Sequence, residues 1–172
     1  MRTIAAASLA ALLTTALAAP ADAASKTAAA KAPAGKPLIA ISQIALADTS
    51  GEKPDTAGTI WTRIKALTNQ IGTGLTGSGL YDIKVVPKAN CEDYSETCLG
   101  KWAKDTGGNL IMIGTVLKMT PTVSHFWVGI FKPDGTTRLF YRDIKIDSDS
   151  EASWKRAGSD LVAAVLAAKP GR

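Results

Sequence analysis

The sequence predicts an α/β domain, one mixed sheet built in the order β-α-β-α-β-β-β-α. Three observations carry this expectation. Apolar runs alternate with segments of helical period through the first part of the domain. Three further apolar runs then follow one another, separated only by turn-forming stretches, as in a meander. Each helical segment also has one apolar side, which a sheet would bury.

Residues 1–23 stand apart from that domain. Arg2 supplies a positive charge, residues 4–19 are small and apolar, and Ala21-Asp22-Ala23 offers a small-x-small cleavage site. The stretch reads as a secretory leader, too short for a membrane span, with the mature chain beginning near Ala24. Ala16-Leu17-Ala18 is a competing cut. The expected organisation is a leader at 1–23, a flexible Ala/Lys/Pro spacer at 24–36, one α/β domain at 37–168 and a tail at 169–172.

The elements follow in order. Residues 38–46 (LIAISQIAL) form the first expected strand, interrupted at Ser42-Gln43. From Thr59, Trp61, Ile64, Leu67 or Thr68, Ile71 and Leu75 keep helical spacing, and the helix is expected to fray or stop at Gly72, Gly74 and Gly77. Residues 80–86 are the second strand, closed by Pro87. Asp93 and Glu96 read as a capping box for a helix through Lys104, with Leu99, Trp102 and Ala103 on its apolar side. Gly107-Gly108 ends it. Residues 109–116 are the clearest buried strand, 125–131 the next and 139–146 the last, with a turn at Lys132-Pro133-Asp134-Gly135. Ser148 and Glu151 suggest a second capping box. The helix that follows carries Trp154, Ala157, Leu161 and Val165 and stops at Pro170-Gly171.

Bulk properties exclude several functions. The chain has 172 residues and a net charge of +5, without the dense basic cluster of a nucleic-acid footprint. Its two cysteines, Cys91 and Cys98, suit one disulfide in an exported protein. Such a bridge would contribute roughly 2–3 kcal/mol.

Catalytic chemistry has few candidates. His125 is the one histidine. A hydrolase triad would need a nucleophile beside it, whereas Ser124 points the other way on a strand and no G-x-S-x-G elbow is present. A soft-metal site could draw on Cys91, Cys98 and His125, and only if the cysteines are reduced. The spacing of residues 72–77 matches G-x-G-x-x-G, but it lies at the end of a helix instead of between strand and helix. Trp61, Trp102 and Trp154, one per helix, read as core. Trp127 differs, because residues 125–131 carry aromatics on both faces. His125, Trp127 and Phe131, with Lys118, Lys132, Arg138 and Arg142 nearby, are the expected binding surface, together with residues 118–124 and the turn at 132–135. Coverage of this face by the last helix is the plain alternative.

Two blocks carry a resemblance. Residues 98–119 (CLGKWAKDTGGNLIMIGTVLKM) and 147–162 (DSDSEASWKRAGSDLV) resemble segments of a family of exported bacterial proteins of unknown function, the DUF3280/DUF2380 type. Asn109 stands where that family carries Asp. The resemblance spans about residues 38–168, and the family's fold is similar to the N-terminal domain of TolB. It implies a non-catalytic periplasmic accessory or binding protein. Such a protein would act through contacts with an envelope protein or a periplasmic dehydrogenase system, with no cofactor. A small apolar ligand is the other partner class. A small periplasmic hydrolase using His125 and a soft-metal protein are the alternative functions.

Overall fold

A computed structural model describes residues 35–53, 58–86 and 95–172. The expected leader, Cys91 and Asp93 lie outside the described residues. The elements are β1 (Leu38–Ser42), β2 (Ala45–Asp48), α1 (Thr59–Gly77), β3 (Asp82–Val86), α2 (Glu96–Thr106), β4 (Leu110–Lys118), β5 (Ser124–Phe131), β6 (Arg138–Ile146) and α3 (Glu151–Ala168). All belong to one compact unit, Ala32–Arg172.

The strands make a single mixed sheet in the order β3-β1-β4-β5-β6, with β2 pairing β4 alongside β1. β1 runs parallel to β3 and to β4, while β4, β5 and β6 form an antiparallel meander. The class is therefore the predicted α/β sheet. One expected strand is divided: the Gln43-Ile44 break separates β1, which pairs on both sides, from β2, which pairs β4. Polar Gln43 is exposed at the break, so the interruption already visible in the sequence becomes a real gap in the ladder.

Strand alternation sends the apolar residues to two unequal layers. Ile39, Ile41, Met112, Val116, Phe126, Val128, Ile130 and Ile146 face α1 and α3 in the main core. Ala40 and Ile111 turn to the opposite face, where Leu99, Trp102 and Ala103 of α2 cover them. α2 is short, and its cluster reaches no farther along β4 than Ile113. Among the described residues no helix covers most of the outer face of β5 and β6.

Several local expectations are corrected. α1 does not fray at its glycines. A Cβ on Gly72 would make ordinary contact with Val85 and Ile83, whereas one on Gly74 would lie 2.9 Å from Val162 Cγ2, so Gly74 lets α3 approach the turn and both glycines face packed neighbours. Close packing outweighs their low helix propensity. Trp61 is not core: it is 44% exposed, and Ile60 occupies the buried position. α3 is capped by Ser150, whose Oγ accepts from Ser153 N–H, rather than by Ser148. Ser95 caps α2, which continues to Thr106 before Gly107 turns left-handed. The last residues are held against the domain. Tyr81 Oη donates to the Pro170 carbonyl at 3.1 Å, and Arg172 donates to the Leu80 carbonyl. Burial of that ring raises the Tyr81 pKa. Among the described residues no helix is long and apolar enough to cross a membrane.

Candidate functional site

The register of the meander decides which side chains meet on the uncovered face. Trp127 lies between Thr115 of β4 and Asp143 of β6. Gly129 lies between Ile113 and Tyr141 in the same way, and His125 opposes Leu117 and Lys145. Directly opposed residues share a face. The outer face therefore collects His125, Trp127, Phe131, Tyr141, Asp143 and Lys145. Trp127 is 38% exposed and Tyr141 51%.

Between the two rings is a shallow depression of ≈ 180 Å³, with Ile113 and Thr115 on one side and Phe131 and Arg138 at one end. Gly129 makes room for it. A Cβ there would lie 2.5 Å from the Phe131 ring, so the absent side chain lets Phe131 fold over its own strand. A register irregularity at Ile130/Phe131 sits beside Arg138. The Arg138 guanidinium lies 5.0 Å from the centre of the Tyr141 ring, a cation–π distance. At the other end His125 Nδ1 and Asp143 Oδ1 are 2.9 Å apart across the strands.

Of the residues expected at the surface, His125, Trp127, Phe131 and Arg138 are brought together. Lys118 and Arg142 are not. Lys118 opposes Ser124, and Arg142 opposes Val128, which puts both on the α1/α3 side of the sheet. Lys118 is ion-paired there with Glu52, and that hydrogen bond raises its pKa. Lys132 is exposed in the turn after β5. The turn itself is partly interior, since Gly135 is buried against Glu96 and Leu99 of α2. Last-helix coverage of this face is excluded, because α3 packs on the other side.

Tyr141 and Asp143 complete the face and were not among the expected binding residues. Their signal was the register of the β5–β6 hairpin, which alternation alone does not fix. A second concave region was also missed. Trp61, Thr62, Lys65, Thr68 and Asn69 of α1, with Gln43 and Val85, line a groove of ≈ 540 Å³ at the β3 edge. Trp61 is one residue out of step with the Ile60-Ile64-Leu67-Ile71 stripe, and that offset was its signal.

The hydrolase alternative gains an orienting carboxylate for His125 in Asp143, but not the adjacent hydroxyl. Ser124 is buried on the face opposite His125. Cys98 packs beside the α2 cluster at Ile111, while His125 is level with Leu117. Six residues of strand separate those levels by about 20 Å. Among the described residues no group of three or more His, Cys, Asp and Glu side chains is placed to hold a metal. No free cysteine is found among them either.

No family model matches the sequence. No curated protein matches it. Solved structures do share the fold. PelC from Paraburkholderia phytofirmans, a dodecamer, superposes with a TM-score of 0.50 at 15% identity, covering 80% of this chain and 89% of that one. TolB from Acinetobacter baumannii gives 0.49 at 15% identity, with 81% of this chain matched to 30% of the TolB chain. Lipoprotein GNA1162 from Neisseria meningitidis gives 0.45 at 17% identity over 76% and 94% of the two chains. At 15% identity the likeness to PelC is one of fold.

Proposed function

We propose that this chain is a non-catalytic periplasmic accessory protein that binds another envelope protein through the outer face of β5 and β6. The observation that carries the reading is the pair of exposed rings, Trp127 and Tyr141, around a depression on a sheet face that no helix among the described residues covers. Large exposed aromatics cost solvation in the free protein and are typical anchors of an interface. Arg138, held over Tyr141, adds a rigid cation at the same place. Asp143 and His125 supply a polar rim.

The periplasmic placement rests on the leader at residues 1–23 and on the resemblance to exported proteins. The non-catalytic reading is supported by Ser124, the hydroxyl next to His125 in the chain, which is buried on the opposite face of the sheet. A Cys91–Cys98 disulfide is part of the same proposal and would tie α2 to the segment before it. PelC assembles as a dodecamer, so self-association is measured alongside partner capture.

The test is affinity capture from a periplasmic extract with three baits: the wild-type chain, Trp127→Ala and Arg142→Ala. Each is first checked for folding by circular dichroism and for size by sedimentation. Trp127→Ala should lose the captured envelope protein, with affinity falling about tenfold or more. Arg142→Ala, on the opposite face, should retain it. Equal capture by both variants would remove this face from the function.

A further inference from the structure

We propose that the free edge of β3, with the groove beside α1, docks an extended segment of a partner protein, and that this segment carries apolar residues and a carboxylate on one face. This surface is separate from the aromatic face of β5 and β6, and it lies at the opposite end of the sheet.

The first observation is a backbone one. Among the described residues β3 is an edge strand with β1 as its one neighbour. Asp82 N–H donates to the Pro37 carbonyl, and the Val86 carbonyl accepts from Gln43 N–H. In a parallel ladder one residue directs both of its backbone groups to the same neighbour, and the next directs both away. Asp82, Lys84 and Val86 therefore serve β1. Ile83 and Val85 present their N–H and C=O groups outward, ready for a further strand.

The second observation concerns side chains. Val85 is 44% exposed beside the exposed Trp61, and together they form an apolar wall of the groove. The groove continues along α1 into a second depression of ≈ 650 Å³, where Gly72, Thr73, Thr76 and Gly77 keep the helix surface low over Ile83 and Val85. A strand added to β3 would thus lay alternate side chains between the edge and α1. Among the described residues the lining of both depressions holds one charged group, Lys65, and no carboxylate. Lys65 is exposed on α1. An acidic side chain on the groove face of the incoming strand complements it.

Charge also decides against a second copy. Reciprocal use of Ile83 and Val85 across a two-fold axis requires an antiparallel pair centred on Lys84. That geometry sets Lys84 directly opposite its symmetry mate, and like charges so placed are destabilising. Both chains would also carry a net charge of +5.

The probe is a short acetylated peptide amide, Glu-Thr-Val-Thr-Val-Thr-Glu, compared with its twin in which lysine replaces both glutamates. Either chain direction then puts the valines and both charged ends on one face. Titration into the isotope-labelled protein is followed by amide shifts and hydrogen exchange. The acidic peptide should shift and protect the Ile83 and Val85 amides and bind about fivefold or more tightly than the basic twin. Lys65→Glu, a change at an exposed position, should reverse that preference. Failure to protect these two amides, an unreversed preference, or shifts centred on Trp127 and Tyr141 would each overturn the proposal. Self-association of the free protein through the same amides would overturn it in favour of a second copy.

Discussion

Asp134 organises the β5–β6 turn as an acceptor. Its carboxylate takes the N–H groups of Thr136 at 2.8 Å and Thr137 at 2.9 Å, and the Thr137 hydroxyl at 3.0 Å. Those backbone hydrogen bonds, the one from Thr137 first, lower its pKa from 3.8 to about 2. A carboxylate depressed on folding stabilises the native state above its unfolded value. That contribution fades as pH falls from 3.8 through about 2. Protection of the Thr136 and Thr137 amides, taken relative to the intrinsic exchange rate at each pH, should accordingly fall across this acid window in the wild type. In Asp134→Ala that protection should already be low at neutral pH and show no such acid step. A wild-type profile that stays flat down to the lower limit would refute the assignment. The sequence made Asp134 readable as a turn residue, because Pro-Asp-Gly has few other uses. It could not separate Arg138 from Arg142. Four residues apart, the two share a face in a regular strand, and only the irregularity that pairs Ile130 with Phe140 but Phe131 with Arg138 sends them to opposite faces.

The helices were legible to different depths, and packing explains the difference. α2 and α3 were visible from their apolar sides, and Trp102 and Trp154 are buried as read. Their start signals were misplaced by two residues, because Ser95 and Ser150 compete with nearby acidic and hydroxyl residues for the same capping role. α1 was read as ending early, since propensity counts each glycine as a loss and cannot see the β3 side chains or Val162 against which Gly72 and Gly74 fit. The position of α2 depends on an element distant in sequence. The left-handed Gly135, at φ 77°, sits against it, and a Cβ there would lie 2.9 Å from the Glu96 carbonyl oxygen and 3.1 Å from Leu99 Cβ. Gly135→Ala should cost about 1–3 kcal/mol in urea unfolding, from strained backbone and a displaced helix together. Exchange should rise along α2 as well as in the turn. A loss confined to the turn would show that the contact does not hold the helix.

The molecule is divided by the direction of its strands. β4, β5 and β6 join through short connections, whereas β1 waits for partners far along the chain. The Leu38 N–H reaches the Asn109 side chain across 71 positions, and Ile39 pairs Leu110 in the parallel ladder. Closing so long a loop is entropically slow, and local hairpins form sooner. Pulse-labelled refolding should therefore protect amides of β5 and β6 before those of β1. Simultaneous protection would place β1 in the nucleus and contradict this order. In the export proposed above, the delay has a use. The first strand to be synthesised has no complete seat until β4 exists, so a ribosome that has made fewer than about 110 residues carries a chain still loose enough to thread. Late closure of the parallel half would then act as a timer, keeping the polypeptide competent for transport while its own C-terminal half is still being made.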